Sequence, residues 1–330
     1  MDSRVERTPG GAIVVPQMNA VVLDRFGGVD ELSPRRIPLP EVGDDDVLIR
    51  VEFAGVGSWD AVEREGDYDG AFGIPSTFPY VLGWDAAGTV AAVGRNVTRF
   101  DVGERVYAST MPLPRGGAYA EYAVVEAEFV ARVPDRLPTE QAGAMAWDAL
   151  TALSGLDLLG LRPDETLMVF GASGGIGHQA VQLARHSGIR VLAVASGDDG
   201  VALARRLGAD AVIDGRKVDV PAAAFEFAPG GLDGALVTVG GETAERSLRA
   251  IKSSGRIAWP NGCLPVPVTP PDATVSYYDG DRTATDRLNA IIEASSFEVH
   301  VARTFPMERV KDAHRALKDH YVGKLALKVG

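Results

Sequence analysis

The chain has 330 residues, enough for two domains, and its 46% hydrophobic and 24% charged residues are ordinary for a soluble globular protein. Its formal net charge of −12 at pH 7 repels nucleic acids and anionic membrane surfaces, so neither is an expected partner. The single cysteine, Cys263, excludes an internal disulfide, and no apolar run reaches the roughly 20 residues of a membrane-spanning helix.

The first 17 residues carry no targeting feature that we identify. They mix charged residues with glycine and proline and lack the apolar stretch of a signal peptide. We therefore expect a loose N-terminal extension and a cytoplasmic protein.

From residue 18 to about residue 132, short apolar segments alternate with glycine, proline and acidic turns. The segments include NAVVLDRF, DDVLIRVEFAGV and AYAEYAVV. Period-two alternation with a turn signal about every ten residues predicts an all-β, barrel-like unit. We assign the first domain to residues 1–140.

The composition changes at Thr139, where a segment rich in alanine and leucine begins. Pro138 and Thr139 supply the stop and the cap, and Glu140 lies in the first turn. This pattern predicts one long helix that joins the first domain to the second.

From Thr166 onward, strands, glycine turns and helices alternate. The strand-like segments LMVF, RVLAVAS and LDGALVTV are each followed by a helical segment, which predicts a parallel, doubly wound sheet over residues 141–275. Residues 276–330 contain a helix, then the strands VHVARTF and KLALKV around another helix. Since they add no further βαβ unit, we expect them to return to the first domain.

The most informative motif is the turn Gly171-Ala-Ser-Gly174-Gly175-Ile-Gly177, which lies between a buried strand and a helix. Such a turn directs backbone N–H groups and the positive end of a helix dipole at one place, which suits a pyrophosphate. A second strand about 20 residues later supplies the context of a dinucleotide site. The alternative is a tight turn that binds no ligand.

The end of the second strand bears on the choice of dinucleotide. It reads Ala195-Ser196-Gly197, without the acidic residue that holds the ribose hydroxyls of NAD, which favours NADP(H) over NAD(H). Asp198 and Asp199 follow closely and no lysine is seen nearby. The local cations that a phosphate could use are Arg205, Arg206 and Arg216.

Taken in order, these segments resemble the medium-chain dehydrogenase/reductase superfamily, specifically its zinc-free quinone oxidoreductase (zeta-crystallin-like) branch. The resemblance runs from Met18 to Val329 and rests on residues 83–94, 100–106, 116–122, 151–152, 171–177, 207–210, 239–241, 313–315 and 323–325. It implies an α/β protein with a GroES-like β-barrel catalytic domain and a Rossmann domain, with cofactor and substrate in the cleft between them. It also implies a homodimer, formed through an edge strand near Ile257 and the proline-rich residues 264–272.

The zinc ligands of related alcohol dehydrogenases are replaced in this chain. Those enzymes have a cysteine soon after the second strand, a histidine in a Gly-His-Glu motif and a later cysteine. Here Ser58 stands at roughly the first position, Trp84 replaces the histidine and Cys263 lies far along the chain. Zinc needs three or four converging ligands, so we expect no metal. We interpret the five histidines as structural or surface groups, and we expect no flavin.

The resemblance also assigns residues to the cofactor. The glycine turn would hold the pyrophosphate, Ser196 and Arg216 would lie at the adenosine ribose or its phosphate, and Thr151 would lie near the nicotinamide. NADPH-using members commonly have lysine where Gly200 stands and tyrosine where Gly215 stands, which weakens the preference for NADPH. The full predicted set is Thr151, Ala172, Ser173, Gly174, Gly175, Ile176, Gly177, Ser196, Arg216, Val239, Gly240, Gly241, Trp259, Pro260 and Asn261.

The expected reaction is direct hydride transfer from the nicotinamide to a quinone or to the C=C bond of an α,β-unsaturated carbonyl. The branch's usual asparagine and tyrosine are Gly57 and Val62 here, so the acceptor pocket is expected to be reshaped. No clear acid is present, and the residues expected to line the substrate are Ser58, Trp59, Asp60, Tyr68, Tyr80 and Trp84. The competing hypotheses are a non-catalytic NADP(H)-binding or structural protein and, less favoured, an alcohol dehydrogenase.

Three of these candidates have a structural alternative. A helix cap or structural hydrogen bond is the slightly favoured role for Asp60. Trp59 and Trp84 are either core residues or an aromatic wall on which a flat acceptor stacks. For Asp85, which follows Trp84, we favour a role in holding the fold.

Overall fold

The structure, a computed structural model, describes two compact units. The described residues are 6–7, 13–14, 16–71, 73, 75–111, 116–266, 268–270 and 272–330, so most of the predicted N-terminal extension lies outside them. Unit 1 comprises the described residues up to Ala146 together with Val301–His320 and Lys324–Gly330. Unit 2 comprises Trp147–His300 and Tyr321–Gly323.

The elements of the N-terminal part of unit 1 are mainly strands. They are β1 (Glu6–Arg7), β2 (Ile13–Val14), β3 (Gln17–Leu23), β4 (Ser33–Pro38), β5 (Asp46–Val56), α1 (Ser58–Glu65), β6 (Tyr80–Val81), β7 (Asp85–Val93), β8 (Arg105–Ser109), β9 (Tyr122–Glu126), β10 (Val130–Arg132) and α2 (Thr139–Ala142). Short 3-10 turns lie at Val29–Glu31 and Ala127–Phe129.

The following elements alternate between helix and strand. They are α3 (Ala146–Leu159), β11 (Thr166–Phe170), α4 (Gly175–His186), β12 (Arg190–Ala195), α5 (Gly197–Arg206), β13 (Ala211–Asp214), α6 (Val220–Phe227), β14 (Leu232–Val237), α7 (Glu242–Ser247), β15 (Ile251–Pro260), β16 (Thr274–Tyr278) and α8 (Thr285–Ala294). The chain closes with β17 (Val301–Pro306), α9 (Val310–Ala316) and β18 (Lys324–Lys328), and further 3-10 turns lie at Leu248–Ala250, Arg282–Ala284 and Met307–Arg309.

Unit 1 is built around strand β5. Its main sheet has the order β10-β8-β7-β5-β18-β17, and β9 also pairs with β5. All these pairings are antiparallel except that of β17 with β18, and a smaller sheet has the order β4-β3-β6. The C-terminal strand β18 therefore lies beside a strand from the start of the chain, which explains why the tail returns to unit 1.

Unit 2 is a parallel sheet with the order β13-β12-β11-β14-β15-β16. Strand β11 is buried along its length because helices cover parallel sheets on both faces. The order reverses between β11 and β14, which is the arrangement of a Rossmann fold. The predicted α/β class, with a GroES-like β domain and a doubly wound parallel sheet, is confirmed.

The predicted single helix from Thr139 is wrong, because the segment forms two helices, α2 and α3. Gly143 interrupts them where the chain passes close to strand β5. A Cβ at Gly143 would lie 2.6 Å from the carbonyl oxygen of Phe53 and 2.7 Å from its Cβ. The chain therefore packs its backbone against β5 at this point, and the helix starts again at Ala146.

The predicted return to the first domain at residue 276 differs from the structure, in which unit 2 continues to His300. Strand β16, which was not predicted, pairs in parallel with β15 from Thr274 to Tyr278 and so belongs to the Rossmann sheet. Helix α6 was not predicted either, although Asp219 caps this helix by accepting a hydrogen bond from the N–H of Ala222 at 2.8 Å.

The strand near Ile257, which we predicted as the edge strand of a dimer contact, is not an edge strand. Ile257 lies in β15, which is flanked by β14 and β16, so β16 forms that edge of the sheet in the described part of the chain. Residues 267 and 271 of the predicted contact segment lie outside the described residues. The homodimer itself stays a prediction.

A buried ion pair joins β18 to β7 in unit 1. Lys324 Nζ lies 3.5 Å from Asp85 Oδ2, and the two side chains are only 4% and 5% exposed. Asp85 also packs over Gly55 of β5, where a Cβ would lie 2.7 Å from Asp85 Oδ2. The role in holding the fold that we predicted for Asp85 therefore agrees with the contacts that it makes.

We expect Lys324→Met to destabilise unit 1 by about 3–5 kcal/mol, because it leaves a buried carboxylate without its cation. Urea unfolding followed by circular dichroism measures this loss. Lys328→Met changes an exposed lysine of the same strand and should shift the midpoint little. Equal midpoints for the two variants would contradict a stabilising role for the buried pair.

Candidate functional site

The glycine turn of unit 2 is shaped by two positions that exclude side chains. Gly171, directly after β11, has a φ of +89°, and a Cβ there would lie 2.3 Å from Thr238 Oγ1. A Cβ at Gly177 would lie 2.1 Å from the carbonyl oxygen of Gly171. Helix α4 therefore approaches the end of β11 more closely than any side chain permits.

Helix α4 begins at this turn and leaves amide groups available for a ligand. Gly174 is its N-cap, and the N–H groups of Gly175, Ile176 and Gly177 belong to the first turn, where a helix supplies no acceptor. The turn is open at Gly174, where the one atom within 4 Å of an added Cβ is the Gly171 oxygen, at 3.4 Å. A diphosphate fits this turn because both the donors and the space are present.

The loops after β11 and β14 lie next to each other at the point where strand order reverses. A Cβ on Gly171 would lie 3.2 Å from Val239 Cγ1, and the N–H of Thr238 donates to the carbonyl of Phe170 at 3.0 Å. In open α/β sheets, ligands bind in the crevice outside the carboxyl ends of strands at such a point. The predicted cofactor residues that follow β11, β12, β14 and β15 therefore share one edge of the sheet.

At the ribose end, the two positions that carry phosphate-binding side chains in NADPH-using relatives of the branch are closed. A Cβ at Gly200 would lie 2.8 Å from Ser173 Cβ, and one at Gly215 would lie 2.8 Å from Val194 Cγ1. Ser173 also accepts a hydrogen bond from the N–H of Ser196 at 3.4 Å. Glycine at both positions is therefore a consequence of local packing.

A cation near Ser196 was missed in the sequence. Lys217 Nζ lies 2.5 Å from Asp198 Oδ1 and 3.5 Å from the buried carboxylate of Asp214, so the statement that no lysine is nearby is wrong. The parallel pairing of Ala195 with Asp214 brings these residues together although they are far apart in sequence. Among the predicted cations, Arg206 is paired with Glu298 at 2.8 Å.

Backbone groups anchor the carboxylate of Asp214. Its Oδ1 accepts the N–H of the exposed Arg216 at 3.0 Å. This bond, together with the N–H of Gly197 and the charge of Lys217, holds the pKa of Asp214 below its usual range despite the opposing effect of burial. The carboxyl group of Asp214, beside the end of β12, therefore ionises more readily than an ordinary aspartate.

Of the predicted cofactor residues in α3 and at the end of β15, Thr151 and Trp259 are buried in unit 2, whereas Asn261 is exposed. Thr151 is 1% exposed, and its hydroxyl has no hydrogen-bond partner among the described residues. The indole N–H of the buried Trp259 donates to the carbonyl of Cys263 at 2.7 Å, and Asn261 Nδ2 donates to Asp279 at 3.0 Å. Of these three residues, Thr151 is therefore the one whose side-chain hydroxyl could still form a hydrogen bond with a bound cofactor.

The remaining predicted cofactor residues occupy the same loops. Ala172 is buried and donates its N–H to the carbonyl of Val194 at 3.0 Å, while Gly240 packs on Pro265, whose oxygen would lie 2.3 Å from an added Cβ. Gly241, with a φ of +111°, is the N-cap of α7. Val239 is 48% exposed and Pro260 is buried at the end of β15.

In unit 1, the predicted substrate residues begin helix α1. Asp60 is buried, and its Oδ2 accepts the N–H of Gly57 at 2.8 Å, which is the capping role favoured from the sequence. Burial raises the pKa of Asp60 to about 8. Ser58 is exposed, and Trp59 and Tyr68 are half-buried.

The buried carboxyl group of Glu63 in unit 1 was not among the residues predicted from the sequence. Its Oε1 accepts the hydroxyl of Tyr80 at 2.5 Å and its Oε2 accepts the indole N–H of Trp84. Burial raises the pKa of Glu63 to about 7. In the segment WDAVERE this residue looks like one of several exposed helix charges, so only its position in the fold reveals it.

The aromatic candidates of unit 1 form one cluster. The rings of Trp59 and Trp84 are stacked with centroids 6.0 Å apart and planes 8° from parallel. Tyr68 contacts Trp84 with a centroid distance of 5.5 Å. Trp84 is a core residue, and the half-buried Trp59 covers it.

The described residues do not fit a zinc site. Nowhere in the described ranges do three or more His, Cys, Asp or Glu side chains converge as metal ligands. At the position of the zinc-binding histidine, the indole of Trp84 is bonded to Glu63. Within the same ranges, no helix is long and apolar enough to cross a membrane.

Comparisons with known proteins agree with this architecture. The family profile described as "Alcohol dehydrogenase GroES-like domain" matches residues 43–135, and the one described as "Zinc-binding dehydrogenase" matches residues 175–261. The NADPH-dependent alkenal/one oxidoreductase of Arabidopsis thaliana is 31% identical over 96% of this chain and 81% of its own length. The chain belongs to the medium-chain dehydrogenase/reductase superfamily. The predicted membership is confirmed.

Other members of the superfamily differ in their named activities. The quinone oxidoreductase of Sus scrofa is 29% identical, and the match covers 90% of this chain and 93% of that protein. The crystal structure of an NAD-dependent alcohol dehydrogenase has a TM-score of 0.86 and 28% identity, covering 95% of this chain and all of that one. Membership therefore establishes an oxidoreductase and leaves the substrate to the residues of the site.

We expect Gly174→Ala to fold normally and to bind a nicotinamide dinucleotide at least about tenfold more weakly, because its methyl group enters the open side of the turn. Calorimetric titration measures the affinity and a thermal melt checks the fold. Gly177→Ala is the contrasting variant, and it should lower the melting temperature because its Cβ clashes with backbone. Unchanged affinity in a folded Gly174→Ala protein would exclude diphosphate binding at this turn.

We also expect unit 1 to lose stability as the pH rises from about 4 to about 8, with no further loss above about 8. The folded-state pKa values of Asp60 and Glu63, about 8 and about 7, exceed the unfolded values of roughly 3.9 and 4.3, so ionisation favours unfolding. His314, whose pKa burial lowers to about 3, has the opposite effect between about pH 3 and its unfolded pKa of roughly 6.5, so the decline is clearest from about pH 6.5 to about 8. Urea midpoints should fall across the window, and the Asp60→Asn/Glu63→Gln protein should show a flatter profile. Parallel profiles would contradict buried protonated carboxyls.

Proposed function

We propose that the protein is a zinc-independent NAD(P)H-dependent reductase of quinones or of the C=C bond of α,β-unsaturated carbonyls. The open glycine turn between β11 and α4 carries this proposal, because it offers three first-turn amides to a diphosphate. The names of two relatives, an alkenal/one oxidoreductase and a quinone oxidoreductase, support this acceptor class. Ser58 and Trp84, at the positions of zinc ligands in related alcohol dehydrogenases, do not form a zinc site, which counts against the alcohol dehydrogenase alternative.

When bound, the nicotinamide supplies a hydride that passes directly to an electrophilic carbon. The chain's own residues bind and orient the cofactor. The amides of Gly175, Ile176 and Gly177 would hold the diphosphate, and the free hydroxyl of Thr151 would orient the nicotinamide end. Holding the reactants in one geometry is the main contribution to the rate that the protein makes in such a reaction.

We favour NADPH over NADH. Residue 196, at the end of β12, is a serine and not the acidic residue that holds the ribose of NAD, and the ammonium group of Lys217 lies beside Asp198 in the helix that follows. Because Lys217 is paired with Asp198, a 2′-phosphate has to take the place of this carboxylate as the partner of the ammonium group. Asp198 therefore limits the preference for NADPH, and Lys217 is proposed to supply the positive charge.

The proposed reaction predicts that adding menadione or an alkenal to protein and NADPH causes loss of the nicotinamide absorbance, with a turnover number in the usual enzyme range of about 1 per second or more. The folded Gly174→Ala variant should lose most of this rate at low NADPH. Saturable NADPH binding without turnover on any acceptor would favour the non-catalytic binding protein instead.

The proposed cofactor contacts predict that Asp198→Asn raises the NADPH-to-NADH ratio of kcat/KM about fivefold to tenfold, because it releases Lys217 to the phosphate. Lys217→Met should lower the ratio by a similar factor. Asp199→Asn removes the same charge one residue along the helix and serves as the matched control, with a smaller expected change. A ratio that is insensitive to Asp198 and Lys217 would place the ribose elsewhere.

A further inference from the structure

Within the described part of the chain, no cationic side chain forms an ion pair with the buried carboxyl group of Glu63. The neighbouring Arg64 instead bonds to His314 Nδ1 at 2.9 Å, to the carbonyl of Gly27 at 3.0 Å and to Glu65. A carboxylate in such a place costs more than an apolar side chain of similar volume. The two hydrogen bonds that Glu63 accepts therefore indicate a role beyond stability.

One of those bonds fixes the orientation of the Trp84 ring. An indole has a single donor, and here that donor is directed into the unit at Glu63 Oε2. The Trp84 ring in turn lies nearly parallel to that of Trp59, at a centroid distance of 6.0 Å. The order of contacts is therefore Tyr80, Glu63, Trp84 and Trp59, running from the buried end to the half-buried one.

Among these four side chains, Trp59 is the one that is partly exposed to solvent. It lies in the first turn of α1 beside the exposed Ser58, and its ring is only partly covered. An offset-stacked aromatic pair presents a flat apolar surface that takes another planar ring by the same stacking. Linear or bulky acceptors gain little from such a surface.

The charges around the cluster restrict the ligand further. Asp60 on the same helix faces Glu63, as do Tyr80 from β6 and Tyr119 from the loop before β9. Asp85 and Lys324 compensate each other. The groups that face Glu63 are thus a carboxyl group and two phenols, and none of them offers a cation to an anionic acceptor. The surface therefore suits an uncharged acceptor.

We propose that Glu63 is a positioning residue, which holds Trp84 and through it the ring of Trp59 as a platform for an uncharged, planar, conjugated acceptor of the quinone type. This inference rests on the proposed function and narrows its substrate class. Glu63 touches neither acceptor nor cofactor; it acts through Trp84.

The test compares Glu63→Leu, which keeps the volume and removes both hydrogen bonds, with Glu63→Gln, which keeps an acceptor for Trp84 and offers a donor to Tyr80. We expect Glu63→Leu to raise the KM for menadione about tenfold and the KM for methyl vinyl ketone less than about twofold. Glu63→Gln should restore the menadione KM. Glu65→Leu removes an exposed carboxylate of the same helix and serves as the control.

A binding measurement keeps this proposal separate from the proposed function. Menadione should quench the tryptophan fluorescence of the wild-type protein at saturating NADP⁺, and Trp59→Leu and Glu63→Leu should weaken the apparent affinity about tenfold. Quenching by menadione without turnover would contradict the proposed reductase activity and would still support the aromatic platform at Trp59. Equal changes for menadione and methyl vinyl ketone, or quenching that is insensitive to Trp59 in a folded protein, would reject the platform.

Discussion

The close contact between helix α4 and the end of β11 is the constraint on which the chemistry of unit 2 depends. It exists because residue 177 has no side chain, and a Cβ there would lie 2.1 Å from the Gly171 oxygen. The contact places the start of the helix, with its unpaired amides and its dipole, directly over the end of a buried strand. The proposed diphosphate site therefore follows from backbone packing and requires no charged side chain, which suits a protein with a net charge of −12.

Unit 1 is organised by the opposite means, through buried side chains. Three acidic residues, Asp60, Glu63 and Asp85, are each less than 5% exposed. Of the three, Asp85 is the one that forms an ion pair with Lys324. The pKa values of Asp60 and Glu63 rise because the fold surrounds them with apolar and aromatic groups. Each is retained by specific hydrogen bonds, Asp60 at the start of α1 and Glu63 between two aromatic residues. A change of one residue in this cluster therefore alters several neighbours at once.

The sequence was sufficient for the features that depend on local pattern, and insufficient for those that depend on distant pairing. The glycine turn, the alternating strands and helices and the cap at Asp60 follow from short segments, because backbone conformation and periodicity are local. Lys217 could not be placed beside Asp198, because their contact arises from the pairing of β12 with β13. The burial of Glu63 and the break at Gly143 are likewise set by elements far away in the chain.

This difference between the units bears on why members with one fold carry names as different as alcohol dehydrogenase and quinone oxidoreductase. A cofactor held by backbone amides tolerates wide changes in sequence, provided that the few glycines stay. An acceptor surface made of side chains changes with each substitution, and here Ser58 and Trp84 stand where zinc ligands stand in other members. Once Trp84 occupies that position, its indole N–H needs a buried acceptor. Glu63 supplies this acceptor, so the orientation of the ring at position 84 depends on the buried carboxyl group at position 63.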